Sequence, residues 1–478
     1  MTFTSIVFLY FILISLTLYW VVRRRGVFFQ NVILLIFSVV FICLADSKSA
    51  LVITLSTGIN FYFVHALNAI KNEGGKRLLF YFGCALNIFI LGYFKYLNDL
   101  LAAFSSIYNG DFVLAEKVFL PLGISFFTFQ VLGYWIDVYN EDEKPATNVL
   151  DFFLFLLYFP KVISGPIERF GSFRSQIKNV REFDYVFFTD GLRQFLWGFF
   201  KKSVTSYHCF LIYQELYEGQ INISGFNILA SGMIYLIYVY TDFSGYSDMA
   251  CGISKLFGIK ITNNFGYPLF ARSIGEFWKR WHISLTQWVI NYVFSPLSFF
   301  LRRRGKIGVF VAMLISFLVV GIWHGLKSGF IVFGCLQALF FLPAIIEGRN
   351  SIAYQEGNNG SILDILRMAR LFILMSLASL FTREIPAVES MNEILLMFMR
   401  ISYHPDFHSA LSPRFIIYWI LLLLFIIIEW NGRKWSYSIE KVGGNAPIII
   451  RWSFYTLLIF LIGMYMNTSE SPFIYQQF

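Results

Sequence analysis

Apolar runs of roughly twenty residues recur along this chain, separated by short polar loops, and that rhythm predicts its elements. The first run, TFTSIVFLYFILISLTLYWVV, stops at Arg23-Arg24-Arg25. Near-uncharged tracts follow at about 30–45, 49–66, 78–96, 118–138, 190–211, 226–241, 307–323, 329–346, 370–382, 415–430 and 448–466. A helix climbs about 1.5 Å per residue, so most of these approach or span the roughly 30 Å of a bilayer's hydrocarbon. No tract alternates polar with apolar residues at period two, which excludes barrel strands; a backbone deprived of water then has to be helical. The prediction is an all-α polytopic membrane fold with about 11 to 12 transmembrane helices.

Two stretches break the rhythm. LDFFLFLLYFPKVISGP is short and carries Pro160 and Lys161, and the loop after it holds Arg169, Arg174, Lys178 and Arg181, so it reads as re-entrant. From 242 to 306 the apolar parts are too brief to cross, and Lys255, Lys260, Arg272, Lys279, Arg280 and Arg302-Arg303-Arg304 lie among them. Irregular backbone at membrane depth needs a cover of protein or water, so this stretch is expected to wall an internal cavity. With no internal repeat and no linker, residues 1–478 read as one transmembrane domain.

Composition sharpens this picture. The 478 residues are 57% hydrophobic, 20% aromatic and 14% charged, with a mean hydropathy of +0.63; a soluble domain is usually about a quarter charged. The net charge of +9 sits in loops between apolar tracts, the positive-inside arrangement, which argues against nucleic acid as a partner. It puts the N-terminus and the tail after Met466 outside. The first run has its basic cluster after its apolar core and no small-residue cleavage site, so it reads as a retained anchor. The five cysteines (43, 84, 209, 251, 335) lack metal spacing and read as small core hydrophobes.

Six histidines are the candidates for chemistry. His404 and His408, in YHPDFHSALSP, lack a third ligand, and no metal is expected. His65 and His208 sit close to span ends, where a polar-tipped ring is at ease. His282 falls in GEFWKRWHISLTQW, which on a helix puts Trp278, Trp281, His282, Leu285, Trp288 and Val289 on one stripe and Glu276, Lys279 and Arg280 off it. That stripe suits a core histidine, an interfacial helix or a working site. His324 closes VFVAMLISFLVVGIW, and an ionisable group there faces a cavity or a partner by default. Eighteen positions after Lys306, about 27 Å of helix, it lies towards the outer half of the membrane. A near-neutral imidazole suits general-base work on an alcohol. Gly325 and Gly329 allow close approach, by a substrate channel or by a packed helix. Asp242, Ser244, Ser247 and Asp248 in YTDFSGYSDMA either line a cavity or cap helices, and Glu168-Arg169 in ISGPIERF reads as structural. No phosphate loop, zinc signature or serine elbow is present, so ATP-driven transport and hydrolysis lack their parts.

In order along the chain, PLGISFFTFQVLGYWIDVY (121–139), YFPKVISGPIERF (158–170), YTDFSGYSDMACGISKLFGI (240–259), EFWKRWHISLTQW (276–288), GIWHG (321–325) and the ending SPFIYQQF resemble the membrane-bound O-acyltransferase family, in its alginate O-acetyltransferase-like branch. The motif core covers about 118–325. The resemblance implies helices and re-entrant segments around a central tunnel, with His324 as the catalytic histidine and His282 as its second signature histidine. It implies acetyl-CoA as the thioester donor, a bacterial cytoplasmic (inner) membrane location among membrane lipid, a polysaccharide acceptor, and an extracytoplasmic acetyltransferase- or esterase-like partner. Tyr475 in PFIYQQF is then a candidate acyl relay or an interfacial anchor. The chain departs from the family pattern at Ile290-Asn291, at FFLRRRGKIG and at Gln476, which concern donor-side contacts and the partner surface. The expected function is O-acetylation of an exported alginate-like exopolysaccharide or peptidoglycan; the alternatives are D-alanyl transfer to teichoic acid or a non-catalytic transporter.

Overall fold

In the computed structural model of this protein, residues 1–108, 117–217, 225–348, 361–383, 399, 415–442 and 447–466 are described, and none of them is in a strand. They fall into two compact units, Met1–Leu192 with Ala250–Thr262, and Arg193–Met249 with Asn263–Phe478.

In the first unit α1 (Ile6–Val21), α2 (Val27–Ala45), α3 (Ser47–Ala69) and α4 (Glu73–Tyr108) are followed by α5 (Ile124–Tyr139). Asp46 both ends α2 and caps α3, accepting from the backbone N–H groups of Lys48 and Ser49, so one short polar side chain turns the chain between two spans. Among apolar faces, polar contacts supply the register: the amides of Asn60 and Asn87 exchange hydrogen bonds of 3.0 and 2.8 Å, and Trp135 Nε1 donates to Asn60 Oδ1 at 2.7 Å, tying α3, α4 and α5 together.

The stretch read as re-entrant forms α6 (Val149–Leu157) and α7 (Phe159–Val162), helices too short to cross and buried along most of their length. Lys161 is fully buried, donating to Gln130 Oε1 with its ammonium 4.4 Å from the Phe155 ring. After it come α8 (Phe170–Ile177) and α9 (Tyr185–Phe200). Glu168 accepts from the Thr262 N–H at 2.5 Å, and Arg169 clasps Asp137 at 2.9 Å, so both are structural.

From Arg193 on, in the second unit, α9 runs through a π-helical turn (Lys201–Ser206) into α10 (Tyr207–Tyr217), and α11 (Gly225–Leu256) belongs to this unit as far as Met249. This corrects the reading of 242–306: its first fifteen residues continue a 32-residue helix. The acidic residues do not end that helix because lysines of the π-turn neutralise them, Lys201–Asp248 and Lys202–Asp242 both at 2.5 Å. Asp242, Ser244, Ser247 and Asp248 are therefore neither caps nor loop residues. His208 is also relocated, since the helix continues nine residues past it: it is buried, hydrogen-bonded to Val204 O at 2.7 Å and 4.3 Å from the Tyr418 ring.

Short helices α12 (Ile274–Arg280), α13 (Ile283–Val289) and α14 (Ser295–Phe300) lead to α15 (Gly305–His324), α16 (Ser328–Ile346), α17 (Ile362–Ser379), α18 (Ile416–Gly432) and α19 (Ile448–Tyr465). Eight helices of the described residues are long and apolar enough to cross a membrane. The other four predicted spans coincide with α5 and α18, of 16 and 17 residues, and with α9–α10 and α11, which carry paired charges.

Candidate active site

His324 is the last residue of α15, whose buried face runs through Ala312, Ser316, Phe317, Val320 and Trp323. That face meets α16 at glycine contacts. A Cβ on Gly321 would lie 2.4 Å from Phe330 O, and one on Gly334 2.7 Å from Phe317 O. Gly329 faces Phe381 O and Gly325 faces the Phe330 ring, so these glycines serve close packing. Such contact fixes the ring at the helix end: the half-buried His324 imidazole stacks on Phe330 at 5.6 Å and meets the Trp323 indole at 4.7 Å.

His282 is held differently. The continuous helix expected over 276–288 breaks, with Trp281 extended and His282 left-handed at φ +44°. A non-glycine residue in that region costs about 1 kcal/mol or more and persists only where its surroundings enforce it. Asn264 does so: its backbone carbonyl accepts from Ile283 N–H at 2.8 Å and its side-chain oxygen from Ser284 N–H at 3.2 Å, serving the first two amides of α13. On the other side, Ser273 caps α12 through Glu276 N–H, and Glu276 joins Arg280 at 2.6 Å and the Arg272 N–H at 2.7 Å. Arg272 reaches Asp364 of α17 at 3.6 Å. Glu276, expected off the buried stripe, is itself buried by this ionic clasp.

The two histidines line one cavity of about 60 Å³ inside the second unit. Tyr235, Leu236 and Val239 of α11, Phe277, Trp278 and Trp281, Leu285 of α13, Val320 of α15, Phe330 and Phe333 of α16, and Met375, Ser379 and Thr382 complete its walls. The Trp323 indole bridges the pair, 6.1 Å from the His282 ring and 4.7 Å from His324. No Asp, Glu, Lys or Arg of the described residues is in the lining. Burial pushes the His282 imidazole down to about 3, so it is neutral at any physiological pH.

Four of the six predicted stripe residues matter here: Trp278, Trp281, His282 and Leu285 reach the cavity despite the broken helix. Of the basic residues in the 242–306 stretch, Lys255 is paired with Asp190, and Arg272 and Arg280 with Glu276; Lys260, Lys279 and Arg302 to Arg304 are exposed. Tyr475, His404 and His408 lie outside the described residues. Among the described residues no cluster of three His, Cys, Asp or Glu is placed to hold a metal.

Several supporting residues were missed. Glu429 is buried in α18, accepting from Trp197 Nε1, Ser438 Oγ and Tyr240 OH, and the Tyr240 ring lies 6.2 Å from Trp281. Gln337 accepts from Trp278 Nε1 at 3.1 Å. Each is a lone polar residue inside an apolar tract, a signal the sequence did carry.

Two histidines line one largely apolar cavity in this multi-helix membrane fold, and the class of the protein comes from its relatives. Residues 141–383 match the profile of MBOAT, the membrane-bound O-acyltransferase family. A protein named probable alginate O-acetylase AlgI in Pseudomonas syringae pv. tomato is 32% identical over 389 residues, 78% of this chain and 71% of that one. A peptidoglycan O-acetyltransferase of Helicobacter pylori is 31% identical over 306 residues, 59% of this chain and 58% of the relative. A teichoic acid D-alanyltransferase of Streptococcus thermophilus is 32% identical over 236 residues, 46% of this chain and 55% of the other. The chain belongs to the membrane-bound O-acyltransferase family. It is a multi-pass membrane O-acyltransferase with bacterial relatives, which removes the transporter alternative.

Proposed function

We propose that this enzyme takes an acetyl group from a cytoplasmic thioester, acetyl-CoA, and delivers it across the bacterial cytoplasmic membrane for O-acetylation of an exported cell-envelope polysaccharide. His324 is the general base. It takes the proton of the attacking hydroxyl as that oxygen bonds to the thioester carbonyl carbon; the tetrahedral adduct then collapses, the C–S bond breaks, and the imidazolium returns the proton to the departing thiolate. His282, kept neutral by burial, holds or polarises the donor from the facing wall. The aromatic walls exclude water, the competing acceptor. The exposed cations at Lys279 and Arg302 to Arg304 draw the phosphorylated donor towards the site.

The observation that carries this reading is the cavity shared by both imidazoles, with no charged residue among the described residues of its lining. It also favours acetyl over D-alanyl transfer, because an alanyl ester brings an ammonium, which is costly to strip of water where no described lining residue is a carboxylate. An extracytoplasmic acetyltransferase- or esterase-like partner completes delivery to the polymer, and Tyr475 is a candidate acyl relay to it: a phenyl ester is activated, so onward transfer to a sugar hydroxyl is downhill. Tyr475→Phe keeps an interfacial anchor and removes the nucleophile, so undiminished polymer acetylation in that variant rules out the relay. The main test is His324→Ala in the full chain. Thiol release from acetyl-CoA and envelope acetate should fall about 10²- to 10⁴-fold at unchanged membrane abundance; retained transfer overturns the proposal.

A further inference from the structure

The cavity beside the two histidines is small, and one of its walls is locked. A cavity of about 150 Å³ takes benzene's six carbons, about 25 Å³ per heavy atom. On that scale the 60 Å³ here takes two to three heavy atoms. An acetyl group has three; butanoyl has five and octanoyl nine.

Of the rings around this space, Trp278 is built not to move. Its indole N–H donates to Gln337 Oε1 at 3.1 Å, and its ring is wedged between Phe317 at 5.1 Å and Phe333 at 6.5 Å. Gln337 is wholly buried inside apolar α16, and its Nε2 has no hydrogen-bond partner among the described residues. A half-satisfied amide in such a place is destabilising, and the contact it supplies is the one that fixes the indole. Phe330 differs because it stacks on His324, so changing it moves the catalytic ring as well.

We infer that Trp278, positioned by Gln337, is the wall that limits the transferred group to two carbons. This rests on the proposed acyl transfer and assigns to one positioned side chain the preference for acetyl over longer acyl thioesters. Exchanging the indole for a leucine side chain removes about six heavy atoms, against the two by which butanoyl exceeds acetyl.

The test uses the full chain in lipid nanodiscs with two readouts. One is thiol release from acetyl-, butanoyl- and octanoyl-CoA; the other is thermal stabilisation by non-hydrolysable thioether analogues carrying two, four and eight carbons. The wild type should prefer acetyl to butanoyl by at least about tenfold, the discrimination expected of one or two extra methylenes in a filled pocket. Trp278→Leu should lower that preference at least tenfold and gain stabilisation from the four-carbon analogue. Should Trp278→Leu fail to accumulate, Gln337→Leu, which keeps the indole and frees it, should relax the preference in the same direction, and Gln337→Glu, which keeps an acceptor, should restore it. An unchanged preference in whichever of Trp278→Leu and Gln337→Leu accumulates, or a wild type that already turns over octanoyl-CoA, overturns the wall. A shift in the analogue order without thiol release from any thioester upholds the wall and removes the acyl-transfer reading instead.

Discussion

His324 and His282 reach the same cavity by opposite means. His324 ends a 20-residue helix whose glycines press it against α16, so a long regular element carries it. His282 stands in a strained left-handed turn between two seven-residue helices, held by Asn264, Glu276 and Arg272 from outside its own element. A ring on a packed helix needs only the helix; a ring on a strained turn needs every contact that enforces the turn. The two walls should therefore fail differently when disturbed.

The largest effect is expected at the chemistry itself, the His324→Ala loss already described. The next comes from the strained wall. Asn264→Ala removes the side-chain acceptor that serves α13, a loss of about 1–3 kcal/mol at the turn. It should lower turnover of acetyl-CoA by roughly 5- to 100-fold while leaving His324-side packing intact, and Asn264→Asp should recover most of it. Equal turnover in Asn264→Ala and wild type would mean that the turn does not depend on this contact. On the packed wall, Gly321→Ala forces a methyl group into Phe330 O. Overpacking of this kind costs about 1–3 kcal/mol of stability, read as a lower thermal midpoint, with a smaller change in turnover than Asn264→Ala produces.

The smallest effect is one of pH. His282 binds a proton in the unfolded chain below about 6.5 but in the folded protein only near 3. The unfolded state therefore holds more protons between those values, and stability is full above about 6.5 and declines as the pH falls towards 3. The thermal midpoint should drop on acidification from pH 7 to 5, and His282→Gln should flatten that part of the slope. An identical slope in the variant would show that the ring is not buried in its neutral form.

The legibility of the sequence follows the same division. α15 and His324 were readable because an uncharged tract of membrane length ends at a histidine, a local signal. The stripe of Trp278, Trp281, His282, Leu285, Trp288 and Val289 left a core, an interfacial and a working role open and was read incorrectly as one helix, since the break depends on Asn264, eighteen residues upstream of His282. Asp242 and Asp248 misled in the other direction: acidic residues look like the end of a span until lysines on a neighbouring helix neutralise them. The contributions of Phe330, Phe333 and Met375 to the cavity come from tertiary packing of helices that look alike as apolar text.

On the proposed mechanism, two differently built walls act on one thioester. A double-mutant cycle tests it: thiol release from acetyl-CoA by the full chain in nanodiscs for wild type, His324→Ala, His282→Ala and the double variant. Residues that work as a unit are grossly non-additive, so the double variant should be no slower than the worse single by more than about threefold. If instead the two losses multiply, the histidines serve separate steps and the shared cavity is not their common site.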